Sequence, residues 1–130
     1  MKQTTKQIGD RGEQIAVNYL RLRGYTVKER NYRAGHYEID IIASRWRTIA
    51  FVEVKTRTYR EDDPIDLMPP PGNAVKREKQ YFTRQAAKQY LYQHQSRKQP
   101  RMDVIEVWLV QSRDQSKTRV YKIRHIKGAY

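Results

Sequence analysis

The chain has 130 residues, no cysteine, 27 Lys or Arg against 14 Asp or Glu, and a formal net charge of +13. That length suits one domain, residues 1–130, able to bury most of the surface its unfolded form exposes. The composition excludes disulfides, zinc–thiolate sites and thiol nucleophiles, and no apolar run approaches the roughly 18 residues of a membrane span.

The opening MKQTTKQIGDRGEQ has no apolar core of the kind a secretory signal needs, so a cytoplasmic protein is expected. From Lys6 to Arg23, Ile8, Ile15, Ala16, Tyr19 and Leu20 fall on one helical stripe, and Gly24 is a natural stop. Tyr25–Asn31 alternates as a short strand, residues 31–35 read as a turn, and Tyr37–Ala43 is a second strand. Residues 44–48 turn the chain into a third strand, Ile49–Thr56, and so short a connection predicts an antiparallel hairpin. Residues 57–74 hold four prolines and no period, which predicts a long loop, functional or mobile. A second helix follows over 74–93, with Phe82, Ala86, Ala87, Tyr90 and Leu91 on its apolar face. A basic linker over 96–100 leads to strands at Met102–Gln111 and Thr118–Ile126. The order α-β-β-β-α-β-β predicts an α/β fold, a mixed sheet flanked by helices.

Charge is distributed unevenly along these elements. Residues 76–101 carry eight Lys or Arg against Glu78 alone, and residues 111–127 carry six against Asp114 alone. Residues 34–75 reverse the balance, with seven acids against five bases. A basic frame around an acidic centre fits a polyanion cradle with chemistry in its middle, and nucleic acid is favoured over a membrane surface because no large amphipathic basic helix is present.

The acidic centre contains YEIDII, residues 37–42, followed by FVEVK, residues 51–55. Alternation puts Glu53 and Lys55 on one side of an apolar strand, and a burial of that kind is costly unless the charges are paired or bound. If the hairpin register aligns them, Asp40, Glu53 and Lys55 converge. Two close carboxylates repel, and Mg²⁺ or Mn²⁺ on their hard oxygens removes the penalty. A lysine beside them places positive charge where a phosphodiester transition state gains negative charge. The spacing of Asp40 and Glu53-x-Lys55 is degenerate, and in a chain that is 32% charged a solvated strand face is its ordinary alternative. Glu61, Asp62, Asp63 and Asp66 read as a solvated loop, and His36, His94 and His125 lack metal-ligand spacing. Arg57 and Tyr59, just past the strand, are candidate phosphate contacts.

The blocks GDRGEQIAVNYLRLRGYTVKERNYR, HYEIDII, AFVEVKTR, AVKREKQYFTRQAAKQYL, RMDVIEV and HIKGAY together resemble the bacterial YraN-like family, which is similar to archaeal Holliday-junction resolvases. The resemblance spans nearly the whole chain and implies a restriction-endonuclease-like fold with the PD-(D/E)xK nuclease signature. It implies that Asp40 and Glu53 are metal-binding acids, that Lys55 is the catalytic lysine, that Glu13 is an additional acid completing the site, and that Lys79 is a basic residue facing it. Tyr37 departs from the family pattern, which has Gly before the Glu-Ile-Asp triplet, and the loop after FVEVKTR is longer and richer in Pro and acid. The expected activity is Mg²⁺- or Mn²⁺-dependent cleavage of DNA, branched or damaged, in preference to RNA. Arg57, Lys76, Arg77, Lys79 and Arg84 are expected to hold its phosphates. A homodimer is expected by analogy with resolvases. The alternative is a noncatalytic nucleic-acid-binding protein that keeps a relic of the nuclease site.

Overall fold

A computed structural model describes residues 3–130. The first helix, α1 (Thr5–Leu22), starts at a capping box: the Gln7 backbone N–H donates to the Thr4 hydroxyl at 3.1 Å, and the Thr4 N–H donates to Gln7 Oε1 at 2.9 Å. Two otherwise unpartnered backbone donors are thereby satisfied. The helix ends at Gly24, whose φ of 86° disfavours any side-chain-bearing residue. Three strands follow, β1 (Thr26–Ala34), β2 (Tyr37–Arg45) and β3 (Thr48–Arg60). A short 3-10 turn (Ile65–Leu67) interrupts the next connection before α2 (Arg77–Gln93), β4 (Gln99–Gln111) and β5 (Thr118–Ile126).

Among the described residues the sheet has five strands in the order β1-β2-β3-β4-β5. The first three form an antiparallel meander, β3 and β4 are parallel, and β5 returns antiparallel. The parallel step needs a crossover, and α2 provides it. Ala16, Val17 and Leu20 of α1 pack on one face with Ile41, Val52, Ile105, Val107 and Leu109. Ala86, Ala87 and Tyr90 of α2 cover the other face with Ile39, Ile42, Phe51 and Met102. This mixed α/β sheet with a helix on each side is compatible with a restriction-endonuclease-like fold. No helix among the described residues is long and apolar enough to cross a membrane.

Several boundaries differ from the sequence expectation. The turn placed at residues 31–35 is strand as far as Ala34, with Asn31 at φ 53° inside it, and the chain reverses at Gly35 and His36. The third strand runs to Arg60 rather than Thr56, because Arg57–Arg60 pair with Trp108–Gln111 of the parallel neighbour β4. Arg57 and Tyr59 therefore lie on the sheet. Tyr59 is buried, with its hydroxyl donating to the Pro69 carbonyl at 2.7 Å, so it is not a free phosphate contact. α2 begins at Arg77, and β4 takes in the end of the basic linker, Gln99 pairing with Thr48.

The remaining connection, residues 61–76, is tied to the sheet. Besides the Tyr59 bond, Gly72 N–H donates to Glu106 Oε2 at 3.0 Å, and the Tyr121 hydroxyl donates to Asp66 at 3.1 Å. Glu106 is itself buried and held by Arg124 at 2.5 Å, so a matched ion pair lies beneath the loop.

Gly12 sets how closely α1 approaches the sheet. A Cβ there would stand 1.8 Å from Thr56 Oγ1, 2.8 Å from Thr56 Cβ and 2.9 Å from Thr56 Cγ2. Gly12→Ala is therefore expected to push α1 outward and lower unfolding free energy by about 1–3 kcal/mol in a denaturant titration. Adding Thr56→Ala, which removes two of the three clashing atoms, is expected to recover most of the loss. Additive penalties in the double variant would contradict this packing.

Candidate active site

Pairing between β2 and β3 runs from Arg45 opposite Thr48 to Ile41 opposite Val52 and stops there. β1 still pairs with β2 as far as Tyr37, so the start of β2 peels away from β3 with its neighbour. Asp40 fills the opening. Its carboxylate Oδ2 accepts the Val54 backbone N–H at 2.8 Å, replacing the ladder partner that β2 no longer offers. Burial pushes the Asp40 carboxyl up, the Val54 N–H opposes this, and the nearby Glu53 charge raises it further.

Glu53 and Lys55 share the side of β3 that faces α2. Lys55 Nζ lies 2.9 Å from Glu53 Oε1, and Lys79 of α2 donates to the same oxygen. Burial opposes ionisation of Glu53, but the bonds from Lys79 and Lys55 outweigh it and hold its carboxyl below the usual range. The second oxygen, Oε2, is buried without a hydrogen-bond partner. Such an oxygen on an ionised carboxylate is costly to leave unsatisfied. Thr83, one turn beyond Lys79, is fixed in turn by the Tyr130 hydroxyl at 2.8 Å.

Glu13 reaches the opening from α1. It lines an open groove of about 620 Å³ together with Asp40, Val54, Thr56, Arg57 and Arg60. Burial, then the Asp40 charge, raise its carboxyl to about 7, with Arg30 opposing. Asn31, with its amide nitrogen turned inward, donates to Glu13 Oε1 at 3.0 Å and to Glu38 Oε1 at 2.8 Å.

The structure thus brings Glu53, Lys55 and Lys79 into one contact and places Glu13, Asp40 and Arg57 along one groove. Between the two groups, the Glu53 charge acts on Asp40 across the seam. Lys76 and Arg77 are exposed at the start of α2. Arg84 lies elsewhere: its guanidinium is 5.4 Å over the Tyr130 ring, beside a separate cleft of about 380 Å³ floored by Ala87, Leu91 and Met102. The Val54 backbone donor, Arg60, and Thr58, whose buried hydroxyl has no partner, carry no motif signal in the sequence. The extension of β3 brings Thr58 and Arg60 to the groove, and only non-local pairing with β4 sets that extension.

Among the described residues, no three His, Cys, Asp or Glu side chains stand close enough to form a metal cage as they are. The amines of Lys55 and Lys79 already meet one oxygen of Glu53. What remains are Glu53 Oε2 and the Asp40 oxygen not used by Val54. These are hard oxygens of two carboxylates, one of which feels the charge of the other, a donor set that fits Mg²⁺ or Mn²⁺.

The raised Glu13 carboxyl has a consequence for stability. Its folded pKa lies above the ordinary 4.5, so the stability its proton contributes is complete below about 4.5 and is lost as pH rises through about 7. In chelator, the Tm of Glu13→Gln is expected to gain on the parent across that window and to stay ahead above it. A difference in Tm that does not vary with pH would contradict the burial of this carboxyl.

The uncharacterised protein family UPF0102 matches residues 12–107. A UPF0102 protein of Alkaliphilus oremlandii (strain OhILAs) is 40% identical over 128 residues, covering 96% of this chain and 98% of that protein. One from Chlorobium phaeobacteroides is 40% identical over 131 residues, covering 100% and 98%. One from Caldanaerobacter subterraneus subsp. tengcongensis is 37% identical over 130 residues, covering 99% and 98%. The chain belongs to UPF0102, the YraN-like family, which is part of the restriction-endonuclease-like superfamily.

Proposed function

We propose that this protein is a metal-dependent endonuclease of the cytoplasm that hydrolyses phosphodiester bonds in DNA, branched or damaged DNA in particular. The observation that carries the reading is the seam between β2 and β3, where Asp40 takes the Val54 N–H and Glu53, with one unpartnered oxygen, is held by Lys55 and Lys79. Asp40 and Glu53 would hold Mg²⁺ or Mn²⁺, with Glu13 in support. A divalent cation bound there supplies charge to a phosphoryl oxygen and makes a water more acidic.

The chain's own groups supply the rest. Glu53 holds Lys55 Nζ at 2.9 Å, which fixes an ammonium where a phosphodiester gains negative charge on attack. Lys79 balances the same carboxylate, leaving Lys55 less tightly neutralised than in a simple pair. Burial raises the Glu13 carboxyl to about 7 in the metal-free protein, so support of a cation by Glu13 would release its proton near neutral pH. Arg57 and Arg60 line the groove as phosphate contacts, and Lys76 and Arg77 extend the positive surface along α2. Contacts of this kind grip backbone and read no sequence, which favours selection by the shape of the DNA.

A second reading, nucleic-acid binding without catalysis, is favoured by one observation: two lysines already meet Glu53, so this carboxylate needs no cation to balance its charge. The two readings separate in one assay. Labelled linear, flapped and four-way-junction DNA are incubated with Mg²⁺ or Mn²⁺ and the parent, Glu53→Ala or Lys55→Ala. The nuclease reading expects cutting by the parent and a loss of at least about a hundredfold in each variant, the scale of removing one group that stabilises developing charge. Equal binding by parent and variants with no cutting by any would establish the second reading instead.

A further inference from the structure

An aromatic surface lies beside the seam. Tyr37, the first residue of β2, stacks on Phe82 of α2 with ring centroids 4.4 Å apart and planes within 8°. Tyr81 stands edge-on to Phe82 at 5.2 Å and 83°. Tyr81 is 58% exposed and Phe82 37%. Neither belongs to the two apolar clusters that hold the helices to the sheet. Phe82 follows Lys79 by three positions on α2, which makes them surface neighbours, and Lys79 is bonded to Glu53.

The charge around these rings is mostly positive. Lys76 and Arg77 are exposed at the start of α2, and Arg33 projects from β1 beside Tyr37's strand, 3.6 Å from Glu38. The acids here are Glu38, matched by Arg33, and Glu78 on α2. The N-terminal end of α2 adds the partial positive charge of its free backbone N–H groups. An apolar protein partner would match the rings and leave Lys76 and Arg77 unanswered. A strand with exposed bases answers both, because each base has a flat π-face and each nucleotide a phosphate.

We propose that Tyr37, Phe82 and Tyr81 form a platform on which unpaired nucleobases stack, so that the protein prefers single-stranded, flapped or branched nucleic acid to continuous duplex. The inference rests on the nucleic-acid reading above and names the feature of the substrate that the site selects. In a duplex the base faces are already stacked on one another and reach no such surface. At a flap or junction the unpaired bases are free, and the platform lies at the edge of the seam where the backbone would be cut.

The test uses the full chain in chelator, where nothing is cut. Fluorescence anisotropy gives affinities for a single-stranded and a duplex oligonucleotide of the same sequence, and 2-aminopurine in the single strand reports stacking by quenching. Tyr37→Leu and Phe82→Leu keep bulk but remove the π-face, and Tyr37→Phe keeps it. The platform predicts that each Leu variant loses at least about fivefold in single-strand affinity, together with quenching. Duplex affinity should stay within about twofold of the parent, and Tyr37→Phe should behave as the parent does. If single-strand and duplex affinities fall together, or neither changes, the platform is wrong while the binding reading stands. If the parent binds neither oligonucleotide, both readings fail, and a protein partner for the rings becomes the better account.

Discussion

The hydrogen bond from the Val54 backbone to Asp40 is the contact around which the site is organised. A hairpin ladder would ordinarily continue from Ile41 and Val52 to the next pair, with backbone groups meeting each other. Here β2 stays with β1 and leaves β3, and a side-chain carboxylate takes the donor that the strand has given up. The exchange keeps a buried N–H satisfied, so the opening costs little. It also draws an acid into the seam, close enough for the Glu53 charge to oppose ionisation of Asp40. The acidic residues on the two sides of the sheet come into mutual influence only because the strands part at this point.

Everything around the seam serves to keep those charges tolerable. Lys55 and Lys79 meet one oxygen of Glu53 from the same strand and from α2. Val54 and Asn31 donate to Asp40 and Glu13, respectively. The supporting frame is polar too, with Asp103 buried between Arg101 and His125, its Oδ2 at 2.8 and 2.7 Å from them, and accepting the Gly128 N–H. That network fixes the chain leading to Tyr130, which in turn bonds Thr83 on the turn after Lys79. Buried ion pairs of this sort contribute little net stability but are expensive to break on one side, so they act here as positioning devices.

How much of this could be read from the residues depended on the range of the forces involved. The two helices and the hydrophobic strands were legible because Leu20, Ala87 and Val52 follow local periodicities that one face of a helix or strand must obey. Glu53 and Lys55 sharing a side also follows from alternation alone. The end of β3 is hidden in the sequence because Arg57–Arg60 look like loop, and only pairing with the distant Trp108–Gln111 makes them strand. The same non-local register sets Lys55 opposite Glu106 and places Thr58 and Arg60 at the groove. Nothing local announces the parting of β2 from β3, or that Gly12 lets α1 come close enough for Glu13 to lose solvent. Arg84, grouped with the other α2 cations by its position in sequence, turns instead toward Tyr130.

If Asp40 and Glu53 hold a divalent cation, as proposed, direct binding reveals it without a substrate. Mn²⁺ titrated into the apo-protein is followed by the loss of the free-ion electron paramagnetic resonance signal, for the parent and for Asp40→Asn and Glu53→Gln. The account predicts one saturable site in the parent, weakened at least about tenfold in each variant, with all three proteins folded by circular dichroism. Equal uptake by all three, or none by the parent, would contradict it.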